Sequence, residues 1–319
     1  MNCLVTGGCG FVGSHIIRQL KQQGHTPICY DLYPNKTSIQ EVLTPEELDE
    51  LAIVQGGVDD RQVLVNVLKE YKIDRIIHLA GILGDKAEQD PAAAVETNIL
   101  GTINMFEAAL EVGIKRVVYT SSTSVFGTDE YYEPWFHGAT IPNDVFLHPT
   151  LVYGATKMFL EFMGDWYYKN RGLETIGLRY TLVYGIARQR GSAQYVTECI
   201  NKPAMGEPGV VENSDTVPDF IYVEDAARAT IMATECPMTE SKAFVIGGGQ
   251  NSIHELRDYV LEFLPDANIT LLPGVYPSSY KLDLEAAKRE MGFVAEYSLK
   301  EGTRATINLL RAKQGLPPV

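Results

Sequence analysis

Up to about residue 180, short runs apolar on both faces alternate with longer stretches whose apolar residues recur every three or four positions. Cys3-Leu4-Val5, Ile28 to Asp31, Ala52-Ile53-Val54, Arg75 to Leu79, Arg116 to Thr120 and Thr175 to Tyr180 read as strands. Phe11 to Gln23, Gln62 to Tyr71, Ala92 to Val112 and Leu151 to Arg171 read as helices. Such strands, alternating with helices, call for a parallel sheet covered on both sides, a doubly wound α/β fold.

After Tyr184 the pattern loosens, because prolines at 203, 208, 218, 237, 265, 273 and 277 cut the chain into short pieces. Phe220 to Val223 and Phe244 to Ile246 still read as strands, and Glu285 to Met291 and Leu299 to Ala312 as helices. A smaller C-terminal lobe is expected, set over the edge of the first domain.

The composition narrows the function more than the fold. Lys and Arg number 27 and Asp and Glu 41, so the chain carries a formal charge of −14. An acidic surface repels phosphate backbones, so no nucleic-acid or anionic-membrane partner is expected. No apolar run reaches the ~18 residues of a membrane span. Cysteines at 3, 9, 29, 199 and 236 form no C-x-x-C pair, which fits neither a disulfide framework nor a zinc site. The histidines, at 15, 25, 78, 137, 148 and 254, show no metal spacing either. A cytoplasmic protein without a structural metal is expected.

The chemistry begins where the first strand ends. Thr6-Gly7-Gly8-Cys9-Gly10-Phe11-Val12-Gly13 satisfies G-x-G-x-x-G and opens a helix. Glycines there let a tight turn bring backbone N–H groups and a helix N-terminus against a pyrophosphate. Asp31 ends the second strand 18 residues after Gly13, where a carboxylate can hold the adenosine ribose. A carboxylate at that place repels a 2′-phosphate, so the cofactor expected is NAD rather than NADP. The sheet is therefore expected to be Rossmann-type.

Val117 to Ser124 ends a core strand in hydroxyl groups, and the carboxyl ends of parallel strands line the ligand crevice. Tyr153-Gly154-Ala155-Thr156-Lys157 puts a phenol and an ammonium at i and i+4 on one helix face. Tyrosine titrates near ~10, and a neighbouring cation favours its phenolate, which could then move a proton while a cofactor takes hydride.

With these pieces in order, the chain resembles an extended short-chain dehydrogenase/reductase, the NAD-dependent epimerase/dehydratase family, over essentially its whole length. The matching segments include the glycine loop, His78-Leu79-Ala80-Gly81, Asn98 within Glu96 to Thr102, Ser121 to Gly127, Tyr153 to Lys157, Leu178-Arg179-Tyr180 and Asp219 to Asp225. The resemblance implies Ser122 as the hydroxyl that polarises substrate, Tyr153 as acid/base, Lys157 as ribose ligand and tuner, and Asn98 in support. It further implies a cofactor site of Gly7, Gly10, Phe11, Val12, Gly13, Asp31, Val58, Leu79, Ala80, Gly81, Tyr153, Lys157 and Tyr180. Gly57 stands where members carry Asp in the adenine-contacting turn, and Asp59 or Asp60 is expected to compensate. Arg179 is expected to pair with a buried acid, Asp219 or Asp225. The domain expected to bind NAD spans 1–181 with 219–247 returning to it, and 182–218 and 248–319 form the substrate lobe.

Members acting on nucleotide sugars usually carry Asn where Leu182 stands, Arg where Pro218 stands, and a further Arg between 271 and 283, where only Lys281 is basic. A diphosphate calls for charge-assisted donors, so its loss points to a smaller substrate. Leu83 with Glu88 to Pro91, Gly191 to Tyr195, and Asp215 to Pro218 resemble the L-threonine 3-dehydrogenase branch. The expected substrate site comprises Ser122, Thr123, Tyr153, Leu182, Arg188, Arg190 and Ser192, with one arginine as a candidate carboxylate ligand. The expected reaction is NAD-dependent oxidation of a secondary alcohol on a hydroxy amino acid, sugar or sugar acid. The alternatives are a nucleotide-sugar 4-epimerase or dehydratase that keeps its NAD, and a non-catalytic NAD-binding scaffold, which has no need of a tuned tyrosine. Met158, Phe159, Phe162 and Met163 are expected in the core or between the subunits of a homodimer.

Overall fold

The computed structural model describes residues 1–34, 37–188, 194–278 and 281–319. The strands run β1 (Asn2–Thr6), β2 (Thr26–Asp31), β3 (Ala52–Gln55), β4 (Arg75–His78), β5 (Arg116–Ser122), β6 (Glu174–Tyr180), β7 (Leu182–Tyr184), β8 (Gly209–Val211), β9 (Phe220–Tyr222), β10 (Ala243–Ile246) and β11 (Ile269–Leu271). Among the described residues, seven of them form one parallel sheet in the order β3-β2-β1-β4-β5-β6-β10, a Rossmann-type arrangement.

Both faces are covered, as the unbroken apolar strands require. Successive side chains point to opposite faces. Leu4, Ile28, Ile76, Val117 and Tyr119 therefore pack under the helices Arg61–Glu70, Gly101–Val112 and Val152–Arg171. Cys3, Val5, Cys29 and Ile77 pack on the other side, under Phe11–Gln22 and Val223–Glu235. A third core joins β6 and β10 to the pair β7–β9 and to the helices Ile253–Phe263 and Leu299–Lys313.

Three local departures bear on the site. The stretch read as one helix from Ala92 to Val112 is Pro91–Ala94, then a six-residue π-helical turn Val95–Leu100 carrying Asn98, then Gly101–Val112. Strand β5 runs on through Ser122, whose Cα pairs with Tyr180. Val223, read as strand, opens the helix Val223–Glu235 instead.

The partner expected for Arg179 is corrected. Its guanidinium pairs with Glu161 rather than Asp219 or Asp225, and also donates to the Asn143 carbonyl. Asp219 accepts instead from the N–H groups of Gly248 and Gly249, and Asp225 from those of Glu296 and Tyr297. Both carboxylates are thus already engaged, while Glu161 is brought to β6 by a helix. All five cysteines are buried, and among the described residues no helix is long and apolar enough to cross a membrane.

Candidate active site

The turn after β1 is closed by its own backbone: the Gly7 N–H donates to the Tyr30 carbonyl at 2.8 Å and the Gly10 N–H to the Gly7 carbonyl at 3.0 Å. Gly7 has φ +66°, and a Cβ there would meet the Ala80 nitrogen at 3.1 Å. A Cβ on Gly13 would lie 2.5 Å from the Gly7 carbonyl oxygen, so only glycine lets the helix Phe11–Gln22 start this close to the strand end. Asp31 reaches this turn from β2 and accepts from the Cys9 N–H at 3.2 Å. Burial raises its carboxyl above the ordinary value, with backbone N–H groups of Tyr33 and Cys9 opposing. Leu79, Ala80 and Gly81 follow β4 directly, so they flank the glycine turn.

Val58 is buried, and a Cβ on Gly101 would lie 2.4 Å from its Cγ2. Of the two expected substitutes for the turn's missing acid, Asp60 caps the helix Arg61–Glu70, its Oδ1 accepting from the Gln62 and Val63 N–H groups. Asp59 lies beside Gly57.

Tyr153 and Lys157 lie one turn apart at the start of Val152–Arg171, with the ammonium 5.6 Å from the phenol ring centre. Both are buried, at 9% and 2% exposure. Ser122 Oγ accepts from the Ser124 N–H at 3.1 Å and donates to Ser124 Oγ at 3.1 Å. Burial pushes the phenol up to about 12, and the Ser122 hydroxyl opposes it. Burial likewise brings the Lys157 ammonium down to about 8, while the Glu161 carboxylate holds it up. Lys157 Nζ donates to the Thr120 carbonyl at 2.8 Å, which fixes the cation under the strand end.

Asn98 is fully buried. Its carboxamide accepts from the Ile82 N–H at 2.7 Å, donates to the Ile82 carbonyl at 3.0 Å, and donates to Thr156 Oγ1 at 3.1 Å. Asn98 thus ties the strand end after Gly81 to the helix that carries Tyr153 and Lys157. Glu88 accepts from the Tyr153 N–H at 3.2 Å.

Of the other expected residues, Thr123 donates to the Tyr180 carbonyl at 3.3 Å, and the Tyr180 hydroxyl pairs with Thr230. Leu182 is half-buried in β7. Arg188 donates to the Val183 carbonyl, and burial lowers its guanidinium to about 10. Arg190 and Ser192 lie outside the described residues. Sequence reasoning gave no role to Thr6, Thr102, Thr156 or Glu161. The spacing of Glu161, four residues after Lys157, was the available signal. Among the described residues, no cluster of His, Cys, Asp and Glu could hold a metal ion.

The chain belongs to the NAD-dependent epimerase/dehydratase family, whose model matches residues 3–247. It is similar to a UDP-glucuronate 4-epimerase of Thermodesulfobacterium geofontis, 26% identical over 96% of this chain and 94% of that protein. Its fold is similar to that of a UDP-glucose 4-epimerase from Thermotoga maritima, solved with UDP-glucose, with a TM-score of 0.83 and 25% identity over 98% of this chain and all of that one. It is also similar to that of an L-threonine dehydrogenase from Clostridium difficile, with a TM-score of 0.80 and 25% identity over 98% of both chains. The family's cofactor fits the residues present: a turn kept bare by glycines at 7, 10 and 13, a helix N-terminus, and a carboxylate at the end of β2.

Proposed function

We propose that this chain is an NAD-dependent oxidoreductase that oxidises a secondary alcohol on a small polar substrate, a hydroxy amino acid, sugar or sugar acid. The observation that carries the reading is the buried Tyr153 phenol with the Lys157 ammonium, itself buried, 5.6 Å from its ring centre and one helical turn away. Ser122 and Tyr153 hold the substrate hydroxyl, and the phenolate of Tyr153 takes its proton. Burial resists that ionisation, so the Lys157 cation is needed beside the ring to favour the phenolate. Bound NAD supplies the hydride acceptor.

The glycine loop with Phe11 and Val12 would cradle the pyrophosphate, Asp31 and Lys157 the two riboses, and Val58, Leu79, Ala80, Gly81 and Tyr180 the remainder. Residues 1–181 with 219–247 form the cofactor domain in this reading, and 182–218 with 248–319 the substrate lobe. The substrate site of this reading comprises Thr123, Leu182, Ser192 and one of Arg188 and Arg190. Unchanged KM values after Arg188→Ala and Arg190→Ala would remove the arginines. Leu182 and Pro218 support a small substrate, and Lys281 donates to the Gly138 carbonyl at 2.9 Å. Phe159 and Phe162, 40% and 66% exposed, offer a self-association face for a homodimer, whereas Met158 and Met163 pack inward. A cytoplasmic location completes the proposal.

A second reading is a nucleotide-sugar 4-epimerase that retains NAD, favoured by full-length similarity to a UDP-glucuronate 4-epimerase. The test incubates purified protein and NAD with hydroxy amino acids, sugars, sugar acids, UDP-glucose and UDP-glucuronate, following NADH and 4-epimers. NADH release with a small alcohol supports the first reading. A 4-epimer formed without NADH release replaces it with the second.

A further inference from the structure

A line of buried polar groups runs from the glycine turn to the helix of Tyr153, and its proton directions are fixed by donor counting. Thr6, the last residue of β1, accepts at Oγ1 from the N–H groups of Leu79 at 3.2 Å and Ala80 at 3.1 Å. The Leu79 N–H is shared with the Thr6 main-chain carbonyl at 3.2 Å, but the Thr102 hydroxyl spends its proton on the Asn98 main-chain carbonyl and must accept from His78 Nε2, so Nδ1 is left to accept the Thr6 O–H, 2.7 Å away. His78 is therefore protonated on Nε2, which lies 3.0 Å from Thr102 Oγ1, and the Thr102 hydroxyl donates to the Asn98 carbonyl at 2.6 Å. The Asn98 carboxamide donates to Thr156, whose hydroxyl donates to the Tyr153 carbonyl at 2.7 Å. Thr6, His78, Asn98, Thr102 and Thr156 are each at most 2% exposed. Burial and the Lys157 cation both oppose protonation of the imidazole.

We propose that His78, as the neutral Nε2–H tautomer, is the positioning residue that joins the cofactor turn to the acid/base helix, through Thr6 on one side and Thr102 and Asn98 on the other. The two ends are close to what they serve. The Thr6 clamp holds Leu79 and Ala80 against Gly7, and a Cβ on Gly81 would come within 3.0 Å of Asn98 Oδ1 and 3.8 Å of Lys157 Nζ. A side chain with one donor and one acceptor on opposite edges is needed to pass the line from β1 to the π-helical turn, and neutral imidazole supplies both. An imidazolium would press a third donor onto Thr6 Oγ1 and break the line there.

The inference rests on the reading of Tyr153 as the acid/base, and its test is separate from turnover. Nitrogen NMR of histidine-labelled wild-type protein reads the His78 tautomer directly. One tautomer, Nε2–H, is expected from pH 5 to 8 (about the range of ordinary histidine titration). A proton on Nδ1, or a second proton acquired in that range, overturns the proposal. In parallel, NAD affinity by calorimetry and the Tyr153 phenolate transition, taken as wild type minus Tyr153→Phe, are compared in Thr102→Val and Thr102→Ser. Valine keeps the shape of threonine without its hydroxyl, so both NAD affinity and the phenol midpoint should move, affinity by about tenfold for one lost buried hydrogen bond. Serine should restore both. A folded Thr102→Val protein with wild-type affinity and phenol midpoint overturns the proposal while leaving the acid/base reading of Tyr153 intact. Turnover retained in Tyr153→Phe would instead overturn that reading and leave the tautomer result standing.

Discussion

Glu161 and Arg179 form a buried two-point ion pair: Nε donates to Oε1 at 2.8 Å and Nη2 to Oε2 at 2.6 Å. The Ser121 hydroxyl donates to the same carboxylate. Removing one partner leaves a buried charge without compensation, so Glu161→Ala should cost about 3–5 kcal/mol of stability. Denaturant unfolding of the variant measures this. A loss under ~1 kcal/mol, the range of exposed pairs, would mean that the pair is not buried in solution.

Replacing Lys157 by Met removes the cation beside the phenol. If Tyr153 acts as base, activity in the oxidative direction rises with pH, and the ascending limb should move to higher pH in Lys157→Met, with turnover lowered about 10²-fold or more. An unmoved limb in the pH–rate profile would show that Lys157 does not tune the phenol.

Asp31→Ala should weaken NAD binding by about tenfold to a hundredfold, the worth of a charge-assisted hydrogen bond, and narrow the preference over NADP. Gly13→Ala should abolish binding of both, because its Cβ would be forced to within 2.5 Å of the Gly7 carbonyl oxygen. Calorimetric titration with each cofactor separates the two effects.

What could be read in advance was what is local in sequence. The glycine turn, Asp31 and the Tyr153–Lys157 pair are set by spacing within one strand–turn–helix unit or one helical turn, so the residues alone pointed to them. Arg179 was different: its partner lies 18 residues earlier and arrives only through the packing of a helix on β6. The π-helical turn at Asn98 was invisible because its apolar spacing blends into the helices on both sides. The line through Thr6, His78 and Thr102 depends on three segments meeting in space, and no periodicity marks a buried hydroxyl. Helix Asp129–Phe136 went unread because Pro134 sits inside it.

His78 also predicts an acid sensitivity. Its folded-state pKa is lowered from an ordinary 6.5 to about 3 by burial and by Lys157. Below the ordinary value the unfolded chain takes up a proton that the folded protein refuses. Stability from this group is therefore complete above pH 6.5 and is lost as pH falls toward 3. The slope in that window is at most ~1.4 kcal/mol per pH unit. Unfolding midpoints of wild type and His78→Asn across the window should converge at low pH, and a constant difference would contradict the neutral buried imidazole.

In the proposed reaction the Tyr153 hydroxyl moves the substrate's proton. Tyr153→Phe deletes only that oxygen, so its turnover on the substrate found by NADH formation or epimer analysis, measured beside its NAD affinity, tests the claim most directly. Turnover should fall by about 10²- to 10⁴-fold with NAD binding kept. Wild-type turnover in that variant would contradict it.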